Sequence, residues 1–231
     1  MFSRSLFCLI AAALCFGGCA THYSDDDFVA AVQKLRPAVV LLSMQVPGES
    51  KNSGPDDEYA TGTVVASGAW GSDILTVQHA VDQAWNLRIT IGNKEKVPGK
   101  VFAQNKDLDV ALVRTKRANL PVLKLGKAAD AQPGRTIGLL GYPIPDQFDD
   151  EGLGLATSLN SGRVSSMRVD AIEVTLPIVP GESGGPVFLS DTGEIVGMAE
   201  SRFDAERSIG FALPIDDAKK FLHKFDASHG L

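Results

Sequence analysis

From position 39 to position 212 the hydrophobic residues fall into short runs broken by glycine, proline and acidic turns, the pattern of a chain that folds into many strands. The runs predict strands over 39–45, 63–66, 74–77, 87–91, 97–103 and 110–114. A second set is predicted over 136–141, 157–164, 172–176, 186–189, 195–200 and 209–212. Between the sets, 126–134 reads as a crossover, and 47–58 as a polar loop. Two six-stranded sets predict an all-β molecule of two β-barrels. Helical spacing is confined to the ends. Ser24-Asp25-Asp26-Asp27 is a polar cap ahead of Phe28, Ala31, Val32 and Leu35, an apolar stripe that Pro37 closes. A closing helix is expected from Pro214. Asp216 and Asp217 suit the positive end of its dipole and Lys219, Lys220 and Lys224 the negative end, while Ile215, Ala218, Leu222 and Phe225 form its apolar face. No internal repeat is visible.

Composition agrees with that reading. A chain of 231 residues with 44% hydrophobic content buries a sizeable core, and 23 Gly with 12 Pro suit many short strands and turns. The formal net charge of -6 argues against nucleic acid as a partner. Neither a metal-ligand spacing nor a phosphate-binding glycine loop is present, so no metal and no cofactor is expected. The domain is placed at 28–226, with the first barrel at about 38–125, the second at about 135–213 and the closing helix at 214–226.

The first residues have another character. Arg4 precedes an apolar stretch from Leu6 to Phe16, and Phe16-Gly17-Gly18-Cys19 resembles a lipoprotein signal-peptidase site. Residues 1–18 are therefore expected to be a lipoprotein-type signal peptide, Cys19 the lipidated N-terminus and 19–27 a tether to a periplasm-facing membrane surface. Phe16 stands where an aliphatic residue is usual, which leaves ordinary cleavage after Ala20 and a soluble periplasmic protein as the alternative. All three cysteines, Cys8, Cys15 and Cys19, lie in this segment, so the body has none to pair. The apolar run is shorter than the ~20 residues of a membrane span.

Candidate chemistry concentrates in Gly181-Glu182-Ser183-Gly184-Gly185, a small-residue turn leading into Pro186-Val187-Phe188. The glycines leave room for a substrate carbonyl and let backbone N–H groups approach a developing oxyanion. A serine nucleophile needs a base and a group that orients the base. Of the four histidines, His22, His223 and His229 lie toward the ends, leaving His79 inside the body, where an apolar strand meets a small-residue turn. Asp109 interrupts Leu108-Asp109-Val110-Ala111-Leu112-Val113, where a carboxylate is costly unless a group such as an imidazole N–H accepts its charge. The pentapeptide also fits the nucleophile elbow of α/β-hydrolases. There the serine precedes both partners and opens a helix, whereas here the order is His, Asp, Ser and the serine opens a strand.

With these residues the chain resembles the trypsin-fold serine proteases, and within them the bacterial HtrA/Deg-type protease domain. The likeness runs over about 28–225. It rests on Thr76-Val77-Gln78-His79-Ala80-Val81, on Leu108 to Val113, on Ser161-Gly162-Arg163-Val164-Ser165 and on Gly181 to Gly185. Gly193-Glu194-Ile195-Val196-Gly197 and Ile209-Gly210-Phe211-Ala212-Leu213-Pro214 complete it. The resemblance implies a serine endopeptidase with His79, Asp109 and Ser183 as catalytic triad and the N–H groups of Gly181, Ser183 and Glu182 as oxyanion hole. It places walls of the primary specificity pocket at Pro177-Ile178-Val179, Ala199-Glu200-Ser201 and Ser208-Ile209. Protein or peptide substrates are expected, of the misfolded or envelope kind, and a homo-oligomer stays open. Two departures stand out: Glu182 replaces the usual Asn, and no PDZ module follows in this sequence. A non-catalytic or partner-activated lipoprotein on the same fold is the competing expectation.

Overall fold

The computed structural model describes residues 25–48, 54–92, 94–200 and 209–226. The expected signal segment, Cys19, and the pocket residues Ser201 and Ser208 lie outside the described residues.

The first set of strands comprises β1 (Val39–Val46), β2 (Asp56–Gly68), β3 (Gly71–Thr76), β4 (Trp85–Ile91), β5 (Glu95–Pro98), β6 (Lys100–Asn105) and β7 (Val110–Thr115). They form one sheet in the order β5-β4-β1-β2-β3-β7-β6. Its two edge strands are consecutive in the chain and turn at Gly99, whose N–H donates to the Leu87 carbonyl at 3.0 Å. The sheet therefore curls until a single residue joins its edges. The expected strand over 97–103 is thus two strands, which makes this set seven rather than six.

The second set is a closed barrel of six strands, β8 (Thr136–Gly141), β9 (Ser158–Met167), β10 (Ile172–Val174), β11 (Pro186–Leu189), β12 (Ile195–Glu200) and β13 (Gly210–Pro214). Closure leaves no free strand edge. The expected boundaries of β8, β11 and β12 match those observed. Each is a nearly continuous apolar run, buried on both faces: Ile137 to Leu140, Val187 to Leu189 and Ile195 to Ala199 have almost no exposed surface.

Helix α1 (Asp25–Leu35) precedes the first set but lies on the second, with the Phe28 and Phe188 rings 5.9 Å apart. Two short helices, α2 (Gln78–Val81) and α3 (Pro145–Asp150), lie in segments where no helix is expected from the sequence. Helix α4 (Ile215–Asp226) closes the chain. Its Asp216 carboxylate accepts the Ala128 N–H at 2.8 Å and Lys219 Nζ donates to the Gly126 carbonyl at 2.9 Å, tying the crossover to the helix. Its far end reaches the first sheet, where Phe225 and Phe102 stack edge to face at 5.8 Å. Each terminal helix thus reaches across to the half of the molecule from which it is remote in sequence.

Candidate active site

His79 is the second residue of α2, immediately past the buried end of β3. Val77 at the N-cap offers the helix no side-chain acceptor. Asp109 supplies it from the turn before β7: one carboxylate oxygen accepts the His79 backbone N–H at 2.8 Å and the other lies 2.7 Å from His79 Nδ1. The Asp109 carbonyl also accepts the Gln78 N–H at 3.2 Å. Asp109 has φ +48°, a left-handed conformation that aspartate tolerates better than bulky residues. One residue therefore caps the helix, grips the ring and sets the tautomer. With Nδ1–H donated to the carboxylate, Nε2 carries the free lone pair. The imidazole remains 46% exposed, so it can meet a substrate.

The Ser183 turn comes from the second barrel but is docked on the first. Its carbonyl accepts the Thr61 N–H from β2 at 2.9 Å, and Gly184 N–H donates to the Ala199 carbonyl of β12 at 2.8 Å. Gly184 has φ +87°, and a Cβ there would stand 2.2 Å from the Thr61 carbonyl oxygen and 2.3 Å from Thr76 Oγ1. Only glycine lets the turn settle this closely on the strand that leads to His79. Gly181, with φ +91°, is as constrained: a Cβ would meet the Tyr142 carbonyl at 2.2 Å. The Ser183 hydroxyl makes no hydrogen bond among the described residues and is not sealed from solvent. Contacts of a nucleophile with its base are often loose before substrate binds.

Nearly every polar backbone group of the turn is spoken for. The Val179 carbonyl accepts the Glu182 N–H at 3.0 Å, the Pro180 carbonyl the Ile144 N–H at 2.8 Å and the Glu182 carbonyl the Gly185 N–H at 2.9 Å. The Gly181 carbonyl accepts the Thr61 hydroxyl at 2.6 Å, and that hydroxyl in turn accepts the Tyr142 N–H at 3.0 Å. Among the described residues, the N–H groups of Gly181 and Ser183 alone in 179–183 have no protein acceptor, Pro180 having no N–H. Peptide planarity gives both a direction: each points away from the carbonyl of its own peptide, hence away from Ile144 and Gly185 respectively. The expectation for Glu182 needs correction, because its N–H is turned back onto Val179 and is not available to an oxyanion.

Charge around the imidazole is negative. The hydrogen bond to Asp109 raises the His79 pKa, burial opposes it, and the charges of Asp109, Glu200 and Glu58 raise it further. The pKa of Glu58, a surface residue, is itself raised by partial desolvation of its carboxylate, an effect that His79 partly offsets. Glu200, at the end of β12, is buried and belongs to the second barrel. Of the expected pocket walls, Ile178 lies beside Gly210 at the start of β13, and Ile209 is exposed. The acidic segment Asp146, Asp149 and Asp150 is helix α3, and Pro145 at its start abuts Gly181. Sequence reasoning missed the Thr61 hydroxyl and, although it marked Glu182 as a departure, identified no partner for its carboxylate. Nothing marks Thr61 within its strand, and only its position opposite the Gly181 turn gives it a task. No cluster of three or more His, Cys, Asp or Glu able to hold a metal occurs among the described residues.

Comparison with known proteins adds three findings. Residues 60–198 match the family model described as a trypsin-like peptidase domain. The chain is 32% identical over 217 residues to a Synechocystis sp. protein named as the serine protease HhoB, covering 84% of this chain and 51% of that one. It is 32% identical over 149 residues to a Pseudomonas fluorescens protein named as a DegP-like periplasmic serine endoprotease, covering 63% of this chain and 31% of the other. The chain thus spans at most about half the length of these relatives. Among solved structures, the HtrA-type protease AlgW with a tripeptide superposes with a TM-score of 0.69 at 20% identity, over 88% of this chain and 64% of that one. The serine endoprotease from Yersinia pestis gives 0.67 at 23%, over 85% and 65%.

Proposed function

Because this chain belongs to the trypsin-like peptidase family, on its HtrA/Deg side, we propose that it is a serine endopeptidase acting through an acyl-enzyme. The observation that carries the reading is the two-pronged grip of Asp109 on His79, together with a serine turn docked on Thr61 whose uncommitted donors among the described residues are the Gly181 and Ser183 N–H groups. In this reading His79 Nε2 takes the Ser183 proton as the hydroxyl oxygen attacks the scissile carbonyl. The Gly181 and Ser183 N–H groups receive the oxyanion, and the imidazolium, stabilised by Asp109, returns the proton to the leaving amine. Water then hydrolyses the ester by the same route in reverse.

Ile178, beside Gly210, and Ile209 favour a small or medium apolar side chain before the scissile bond, and Glu200 is the ground for the alternative, a basic one. The relatives named as periplasmic proteases support a bacterial envelope setting, and the Phe16-Gly17-Gly18-Cys19 motif supports a lipid anchor on Cys19 facing the periplasm. Such a placement suits processing or quality control of envelope proteins.

The test is labelling of the purified protein by a fluorophosphonate, alongside cleavage of an unfolded protein. Ser183→Ala is expected to lose labelling and at least about 10⁴ in turnover while keeping its circular-dichroism spectrum and melting temperature. Cleavage by that variant at the wild-type rate would remove Ser183 from the role.

A further inference from the structure

Glu182 is buried in the serine turn, and the hydrolytic chemistry gives its carboxylate no task. Burial pushes its pKa up, and no cation lies within salt-bridge reach among the described residues. A carboxylate so placed is costly unless a donor compensates it. The donor is the Val179 N–H, 3.0 Å from Glu182 Oε2. Since the Glu182 N–H donates in turn to the Val179 carbonyl, residue 182 holds both polar groups of residue 179. The side chain reaches back by lying on Gly141, where a Cβ would stand 3.1 Å from Glu182 Cγ.

We infer that the Glu182 side chain is a positioning residue: by clamping Val179 it fixes the turn from which the Gly181 N–H is aimed. The inference rests on the endopeptidase reading above. Between Val179 and Gly181 lies the Pro180 carbonyl, held by the Ile144 N–H. That carbonyl and the Gly181 N–H belong to one planar peptide, so a rotation that frees the carbonyl swings the N–H away from an oxyanion. Clamping Val179 on both sides removes the slack that such a rotation needs. A hydrogen bond to a carboxylate is about twice as strong as one between neutral groups, which suits a clamp. Length matters as much as charge. Aspartate is one methylene too short to close the same ring, whereas glutamine keeps both the reach and an acceptor oxygen.

The experiment compares wild type with Glu182→Ala, Glu182→Asp and Glu182→Gln in kcat and KM on one peptide, and in affinity for a peptide aldehyde and for the cleaved product peptide. Loss of one oxyanion donor costs about 10²–10³ in turnover, so a misaimed donor is expected to cost roughly 30- to 100-fold in kcat for Ala and Asp. Aldehyde affinity, which needs the oxyanion donors, should fall by a similar factor. Product affinity and KM should change less than about threefold, and Gln should restore kcat to within about threefold. If Ala fails to fold, Asp carries the comparison, since it keeps the charge and nearly the volume. Asp acting as wild type, or equal loss of aldehyde and product binding, overturns the inference. A wild type that neither takes up fluorophosphonate nor cleaves peptide overturns the endopeptidase reading, and the inference with it. An active wild type with an unaffected Ala variant overturns the inference alone.

Discussion

The proton on His79 is held by more than its hydrogen bond. Asp109 contributes most, and the charges of Glu200 and Glu58 add to it against the opposing effect of burial. In the proposed mechanism His79 acts as a base and must be neutral, so a raised pKa delays activity on the way up the pH scale. The acid limb of kcat/KM is therefore expected to have its midpoint above the ~6.5 of an unperturbed histidine. Glu58→Gln removes one carboxylate that favours the charged ring and should shift that midpoint downward, read from a pH–rate profile between pH 5 and 9. An unmoved or raised midpoint would show that Glu58 does not act on the imidazole. At this scale the sequence is informative wherever chemistry is scarce. One internal histidine, one acid in an apolar run and one serine between glycines can be found without coordinates. Glu182 cannot be read this way, because its side chain serves a backbone amide three residues earlier, and only the folded turn shows which amide.

Strands with continuous apolar faces, such as β8, β11 and β12, are legible because their residues are buried on both sides. Strand β2 is legible only in part. Its opening, Asp56-Asp57-Glu58, is exposed and polar, and its extended form is imposed by pairing with β1, where Val46 faces Asp56 and Met44 faces Glu58. No local pattern announces a strand that is templated by its neighbour. Further along β2, Thr61 provides the joint between halves, receiving the Tyr142 N–H and donating to the Gly181 carbonyl through one hydroxyl. Thr61→Val keeps the shape and leaves both backbone groups without their partner. The expected cost is about 2–6 kcal/mol in urea unfolding, from ~1–3 kcal/mol for each of the two buried unsatisfied groups. A roughly tenfold slower fluorophosphonate reaction should accompany it, and Thr61→Ser should restore both. Wild-type stability in the valine variant would mean that water replaces the hydroxyl. The short helices α2 and α3 are missed for a related reason: four and six residues are too few for a period to show.

At the level of the whole molecule the two halves are cross-linked without any disulfide, since the cysteines all lie before position 20. α1 reaches the second barrel and α4 the first sheet, while the serine turn is bonded to β2. The proposed anchor adds an outer constraint. Cys19→Ala should lose metabolic palmitate and pass from the membrane to the soluble periplasmic fraction. An unlabelled, soluble wild type would show that Phe16 spoils the processing site, without touching the catalytic proposal. The cross-linking by Thr61 and Ala199 also sets a schedule. A chain made from its N-terminus presents His79 and Asp109 early, but the Ser183 turn needs the Thr61 N–H on one side and the Ala199 carbonyl on the other. The proposed hydrolytic centre therefore has both of these supports only once synthesis has passed β12. On the endopeptidase reading, a product cut short before residue 199 holds His79, Asp109 and Ser183 but lacks the carbonyl that seats the serine turn.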